Sequence, residues 1–304
     1  MIQTGVILTL VVMIALVTSA GCTGATEKEK KQDVASWNLS RTGEISFQLP
    51  PARVTTGIIE ENSNLTVENL TFSSFAGDVH AVLVVPPHPS RMFVWALGAN
   101  NAASGYIEHM KYYPPEGVGV LILDIRGNGG VTPGYPMNIE RDFSMYANGE
   151  WPQFYLITAD LIQAGEYLHE RYPGIPVWAV GESNGGRYAA LAAEADPGFS
   201  GYIGISTSGF DRIGNRYESP AREFLLSIDP TVSVRAISPR PVILFHAPDD
   251  PVIPYRDGQN LSLAAGPDAI FIPFNGTHGV NREVDAEIIR ILQETNAKTG
   301  QGEP

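Results

Sequence analysis

Cysteine is nearly missing from this chain. Only Cys22 is present in 304 residues, so no disulfide can form within the chain and a cysteine-built metal site is excluded. Basic residues are also scarce: 20 Lys and Arg stand against 33 Asp and Glu, a formal net charge of −13. Nucleic-acid binding needs a cationic face that this balance does not provide, and an acidic surface mostly serves solubility. No HExxH occurs, so no zinc protease site is read. The glycine-rich segment Asp124-Ile125-Arg126-Gly127-Asn128-Gly129-Gly130 lacks a following Lys-Ser/Thr and the GxGxxG spacing, and runs into Val-Thr-Pro-Gly-Tyr-Pro, which does not start a helix. A nucleotide site is therefore not expected.

The longest apolar stretch, residues 6–17, is short for a membrane span, which takes about 20 residues. It leads into Ser19-Ala20-Gly21-Cys22, with charged residues from Glu27 onward. This looks like a secretory signal over residues 1–21 ending in a lipobox, with the single cysteine at the position that would be lipidated. A diacylated Cys22 would carry two chains, enough for stable anchoring, and the alternative is an uncleaved anchor helix. Either places the protein outside the cytoplasm, on the outer face of the cell membrane. Residues 22–42 contain the run Glu-Lys-Glu-Lys-Lys-Gln-Asp and no apolar periodicity, and read as a tether. A domain is expected over residues 43–298, with a disordered tail at 299–304. Asn-x-Ser/Thr triplets at Asn38, Asn64, Asn69, Asn260 and Asn275 matter only where the host glycosylates exported proteins.

Within the domain, residues 67–73 and 79–85 alternate apolar and polar side chains around Phe75-Ala76-Gly77-Asp78, which reads as an antiparallel hairpin. The pattern then changes. Residues 92–97 and 118–123 are continuous apolar runs, as expected of strands covered on both faces. A helix between them (101–113), a strongly periodic one at 152–171, and further runs at 177–181, 202–206, 241–245 and 269–274 complete a βα alternation that predicts an α/β fold around a parallel sheet. Trp151 and the tyrosines at 135, 146 and 155 are candidates to line a pocket, though such aromatics are more often packing.

The stretch Val177-Trp-Ala-Val-Gly-Glu-Ser-Asn-Gly-Gly-Arg187 organises the rest. An apolar strand ends at Gly181, Ser183 stands between Gly181 and Gly185, and a good helix former follows at residues 188–195. A serine on a sharp strand-to-helix turn is strained, and small neighbours two residues either way avoid a clash across it. The turn lifts the hydroxyl out of the sheet and leaves the Asn184 N–H at a helix start, where an oxyanion could be held.

On this motif the chain resembles the α/β-hydrolase superfamily, in its esterase, dienelactone-hydrolase-like or serine-peptidase-like branch. The resemblance covers about residues 43–298. It implies an α/β-hydrolase fold: a mostly parallel eight-stranded sheet with an N-terminal antiparallel hairpin, helices on both faces and no large lid domain. In that family the loop after the strand at 92–97 supplies a second oxyanion N–H, which by position falls to Ala99 or Asn100. The acid sits after the strand at 241–245, in a pattern like H-G-x-x-D-x-x-V-P. Aligning His246 and Pro254 with its ends points to Asp250, with the adjacent Asp249 as the alternative. A base is implied after the last strand, where His278 stands. The order Ser183, acid, His278 matches the family's order. His246 reads as structural, and His80, His88, His109 and His169 fall outside the base position.

The resemblance further implies acyl transfer through an acyl-enzyme on Ser183, needing no cofactor or metal. The expected partner is a small or medium acyl substrate, an ester first and a peptide as the alternative. A surface-binding protein that kept the scaffold is the reading from another class. Neither substrate identity nor oligomeric state follows from the residues.

Overall fold

The computed structural model describes residues 34–299; the expected signal segment, Cys22 and residues 300–304 of the expected tail lie outside them, while Thr299 ends a helix. The continuous apolar runs form the centre of a sheet. Strands β6 (Arg91–Ala96), β7 (Val118–Leu123) and β8 (Val177–Glu182) are buried at every position. Their alternate residues serve two separate cores: Met92, Val94 and Ala96 face one, Phe93 and Trp95 the other. A strand apolar on both faces needs helices on both faces. Helices α3 (Gln153–Arg171) and α4 (Asn184–Ala195) bury residues in the first core, while α1 (Ala103–Met110) and α8 (Arg282–Thr299) bury residues in the second.

Among the described residues the main sheet has nine strands. From β7 through β6, β8, β9 (Tyr202–Ile205), β10 (Val242–His246) and β11 (Ile270–Pro273) every pairing is parallel. On the other side, β5 (Gly77–Val85), β4 (Thr66–Ser74) and β3 (Arg53–Glu61) add antiparallel pairings. The sheet thus holds one strand more than expected, because β3 extends the hairpin outward as an edge strand. Its side chains are mostly exposed, so no inside-outside alternation marks it in the sequence.

The expected tether over residues 22–42 needs correction at its C-terminal end. Residues Ser36–Leu39 form β1, which pairs antiparallel with β2 (Ile45–Gln48) in a separate two-stranded sheet. Trp37 stacks on Tyr146 and meets Tyr155 edge-on, with 5.3 Å between ring centroids in both pairs. A tryptophan with that much covered surface belongs to the folded body. Residues 131–149 carry α2 (Ile139–Ala147), whose start is capped by Asn138 accepting the Arg141 N–H at 2.9 Å. Short helices α5 (Ala221–Ser227) and α6 (Pro230–Ile237) follow β9, and α7 (Tyr255–Ala265) follows β10.

The chain leaves β6 for β7 on one side and returns to β8 on the other. The carboxyl ends of β6 and β8 therefore flank the point where strand order reverses, the usual position of a binding crevice in an open α/β sheet. Gly98 follows β6 there, and Ser183 follows β8.

Candidate active site

Ser183 joins β8 to α4 at φ +53° and ψ −122°. Positive φ at a non-glycine residue is costly and persists only where the surroundings enforce it. Here the Ser183 N–H donates to Ile205 O (2.9 Å), while Ser183 O accepts from Thr207 Oγ1 (2.8 Å) and from the Gly186 N–H (3.1 Å). The three glycines around it answer to space. A Cβ on Gly181 would meet the backbone of Gly185 and Gly186, one on Gly185 would run into the carbonyls of Ala96 and Leu97, and one on Gly186 would press on Thr207. Gly98 lies against the serine, since a Cβ there would stand 3.4 Å from Ser183 Cβ.

Asp250 and His278 come from loops 28 residues apart and meet. His278 Nδ1 lies 2.8 Å from Asp250 Oδ2 and 3.0 Å from Oδ1. With its Nδ1 hydrogen on the carboxylate, the imidazole presents Nε2 as a lone-pair acceptor. The Asp250 side chain has no exposed surface, whereas His278 keeps 22 %. Burial pushes the Asp250 carboxyl up, but the Ile253 N–H, His278 and the Val252 N–H outweigh it, so its pKa falls below the ordinary aspartate value. Asp249 is exposed, and no contact to His278 is found for it. His246 is buried, donates from Nε2 to Ile253 O at 2.9 Å and approaches Asp250 Oδ2 at 3.5 Å. These contacts tie it to the loop carrying Asp250.

The loop carrying His278 is fastened beside Ser183. The Gly279 N–H donates to Ser206 Oγ (3.1 Å) on the residue after β9, and the Val280 N–H donates to Glu182 Oε2 (3.2 Å). Glu182, immediately before Ser183, is buried, and its Oε1 accepts from Tyr106 Oη (2.6 Å) and more weakly from the Gly98 N–H (3.4 Å).

Of the two candidates for the second oxyanion donor, the Asn100 N–H is already committed to Asn128 Oδ1 at 3.0 Å. Asn128 Nδ2 also donates to Gly98 O at 2.6 Å. This side chain clamps the turn on both sides of Ala99 and leaves the Ala99 N–H as the candidate that pairs with that of Asn184 at the start of α4. The Asp-x-Arg-Gly segment ties loops through separate partners. Asp124 accepts the Ala103 and Val131 N–H groups, while Arg126 forms a buried bidentate pair with Asp160 at 2.6 and 2.9 Å.

Residues 87–236 match the family described as Serine aminopeptidase, S33. None of the curated proteins compared matches the chain. Among solved structures, an acetyl xylan esterase from a Paenibacillus species is 16 % identical with a TM-score of 0.65, the match covering 81 % of this chain and 89 % of that one. Acetyl xylan esterase 1 from a Thermoanaerobacterium species is 17 % identical at TM-score 0.66, covering 81 % and 88 %. A glucuronoyl esterase from Solibacter usitatus is 13 % identical at TM-score 0.56, covering 80 % and 86 %. The chain is a hydrolase of the α/β-hydrolase fold.

In this hydrolase the elements carrying Ser183, Asp250 and His278 stand where the sequence order puts them. Glu182, Asn128 and Ser206 were not singled out from the sequence. The only available signal was position: Glu182 sits inside the serine motif and Asn128 in the glycine-rich segment set aside as a phosphate loop. The aromatic residues considered for pocket lining are engaged in packing and hydrogen bonds within the fold instead. Trp151 packs against Phe47 and Phe75, the Tyr155 hydroxyl is hydrogen-bonded to Ser227, and the Tyr135 hydroxyl donates to Asp142 beneath Arg141.

Proposed function

We propose that this hydrolase is an exported serine esterase that works through an acyl-enzyme. Ser183 Oγ attacks the ester carbonyl and passes its proton to His278 Nε2. Asp250 fixes the imidazole tautomer and stabilises the imidazolium. The N–H groups of Asn184 and Ala99 hold the tetrahedral oxyanion. His278 then protonates the departing alkoxide, and water, deprotonated by the same imidazole, releases the acid and restores Ser183. The observation that carries this reading is the His278–Asp250 contact on a loop pinned, through Glu182 and Ser206, to the residues flanking a strained Ser183.

Ester rather than amide substrates are favoured by the likeness to acetyl xylan and glucuronoyl esterases, and an acyl group on a plant-type polysaccharide is a fitting first substrate to try. A serine aminopeptidase is the second reading, supported by the family match over residues 87–236. Location on the outer face of the membrane through a lipidated Cys22 belongs to the same proposal, resting on residues 1–22 alone.

The test is fluorophosphonate labelling of a chain starting at residue 34, with mass spectrometry to locate the adduct. The expected result is a single adduct on Ser183, absent in Ser183→Ala, together with turnover of p-nitrophenyl acetate and of acetylated xylan. No adduct on a folded protein would overturn the serine mechanism. Turnover of aminoacyl amides in preference to esters would favour the second reading.

A further inference from the structure

The mechanism above does not use Glu182, although it is a buried carboxylate next to the nucleophile. All three of its partners, the Tyr106 hydroxyl and the Gly98 and Val280 N–H groups, are donors. A site built only of donors fits the ionised carboxylate. These partners belong to three different segments: the turn before the Ala99 donor, helix α1, and the base loop two residues beyond His278. A Cβ on Gly279, next to His278, would lie 3.4 Å from Glu182 Oε2. One carboxylate thus touches the backbone on the oxyanion side and on the base side of the serine.

We propose that Glu182 is the positioning residue of this site. It holds the Gly98 turn and the His278 loop in register across Ser183, and its charge favours the imidazolium formed during attack. This rests on the reading of Ser183 and His278 as nucleophile and base. The two parts of the role separate by substitution. Glu182→Gln keeps the reach: the amide oxygen can accept from Val280 and the amide N–H can donate to the Tyr106 oxygen, so what is lost is the charge and the long 3.4 Å contact with the Gly98 N–H. Glu182→Asp keeps the charge but is one methylene too short to meet both sides.

The charged and titratable groups around the pair are few. Asp250 faces His278 from the acid loop, with the buried His246 against Asp250 at 3.5 Å. Tyr106 faces Glu182 from α1, and burial and Glu182 itself push its hydroxyl well above the usual tyrosine range. Behind Tyr106, His109 pairs with Asp285, which also binds Tyr113 and Arg282. None of these changes in the two variants, so a moved pH profile reports Glu182.

The experiment is kcat/KM for p-nitrophenyl acetate and the rate of fluorophosphonate labelling, each from pH 5 to 9, on wild type and both variants, with thermal melts as the folding control. Removing a carboxylate near a base lowers the base's proton affinity. Glu182→Gln is therefore expected to shift the acid limb downward and to lower the plateau about 10-fold. Glu182→Asp is expected to lose on the order of 10- to 100-fold in labelling rate with the acid limb unmoved. Wild-type rates and limbs in both folded variants would overturn the proposal. So would a Glu182→Gln that fails to fold beside a Glu182→Asp of normal rate, since the residue would then serve the fold alone. A wild type that neither labels nor hydrolyses would instead defeat the serine mechanism itself.

Discussion

At the scale of single residues, the neighbouring acids offer the sharpest contrast. The Asp250 side chain is fully covered and touches His278, while Asp249 is exposed. Asp250→Asn should lower kcat/KM on the order of 10³- to 10⁴-fold, because an amide supports the wrong imidazole tautomer. Asp249→Asn should leave it within about twofold, as expected of an exposed change. Ester hydrolysis by the two variants checks this, and the reverse order of effects would reassign the acid. A pH consequence follows from the depressed pKa of Asp250. A carboxyl whose folded value lies below its unfolded value contributes stability above the unfolded value, near 3.9, and loses it as pH falls through the folded one. The melting difference between wild type and Asp250→Asn should therefore be full at pH 7 and shrink below about pH 4.

Elements differ in how plainly the sequence announced them. Strands β6 to β8 were legible because burial on both faces leaves an unbroken apolar run, and Ser183 was legible because the space around the elbow dictates glycine at 181 and 185. Asp250 could not be told from Asp249 by spacing, since only tertiary packing covers one and exposes the other. Strand β3 lacks a buried face, β1 follows directly on a charged run, and α2 and α7 carry short apolar stripes broken by Asp, Arg and Asn. The two-stranded sheet is held by contacts distant in sequence. The Ile45 N–H donates to Glu194 Oε1 near the end of α4 (3.0 Å), and Trp37 packs on Tyr146 and Tyr155. Trp37→Ala should cost about 2 kcal/mol, less than for a fully buried tryptophan, and a chain begun at residue 43 should melt lower than one begun at residue 34. Equal melts would return β1 to the tether.

Glu194 adds a pH signature to the same junction. Burial pushes its carboxyl up to about 7, against the pull of the Ser233 side chain and the Ile45 N–H, with Glu44 raising it further. For an acid raised in the folded state, the charged form is the costly one. That cost is absent below the unfolded value, near 4.3, and fully present above about 7. Stability from this group thus falls as pH rises from 5 to 8. Glu194→Gln keeps the acceptor for Ile45 and should gain on the order of 2–3 kcal/mol at pH 8 and little at pH 5, read from denaturant midpoints at the two pH values. A variant equally stabilised at both would point to packing rather than charge.

Over the whole molecule the dominant quantity is the net charge of −13. A field of that sign acts on every approaching substrate before any contact with Ser183, and salt screens it over a Debye length of about 10 Å at 0.1 M. Neutral esters feel little of it. An ester bearing a carboxylate must climb the potential to reach the crevice, so its kcat/KM should rise several-fold between low salt and 0.2 M, while that of p-nitrophenyl acetate stays flat. The buried groups of the site are shielded from added salt, so a change in chemistry would move both substrates together and a change in encounter only the charged one. An anionic ester whose rate falls with salt would mean that a local cationic feature outweighs the global charge. Arg187, half-buried near Ser183 with its guanidinium on Asn184 and Ser208 and no ion pair among the described residues, would then be the first side chain to substitute.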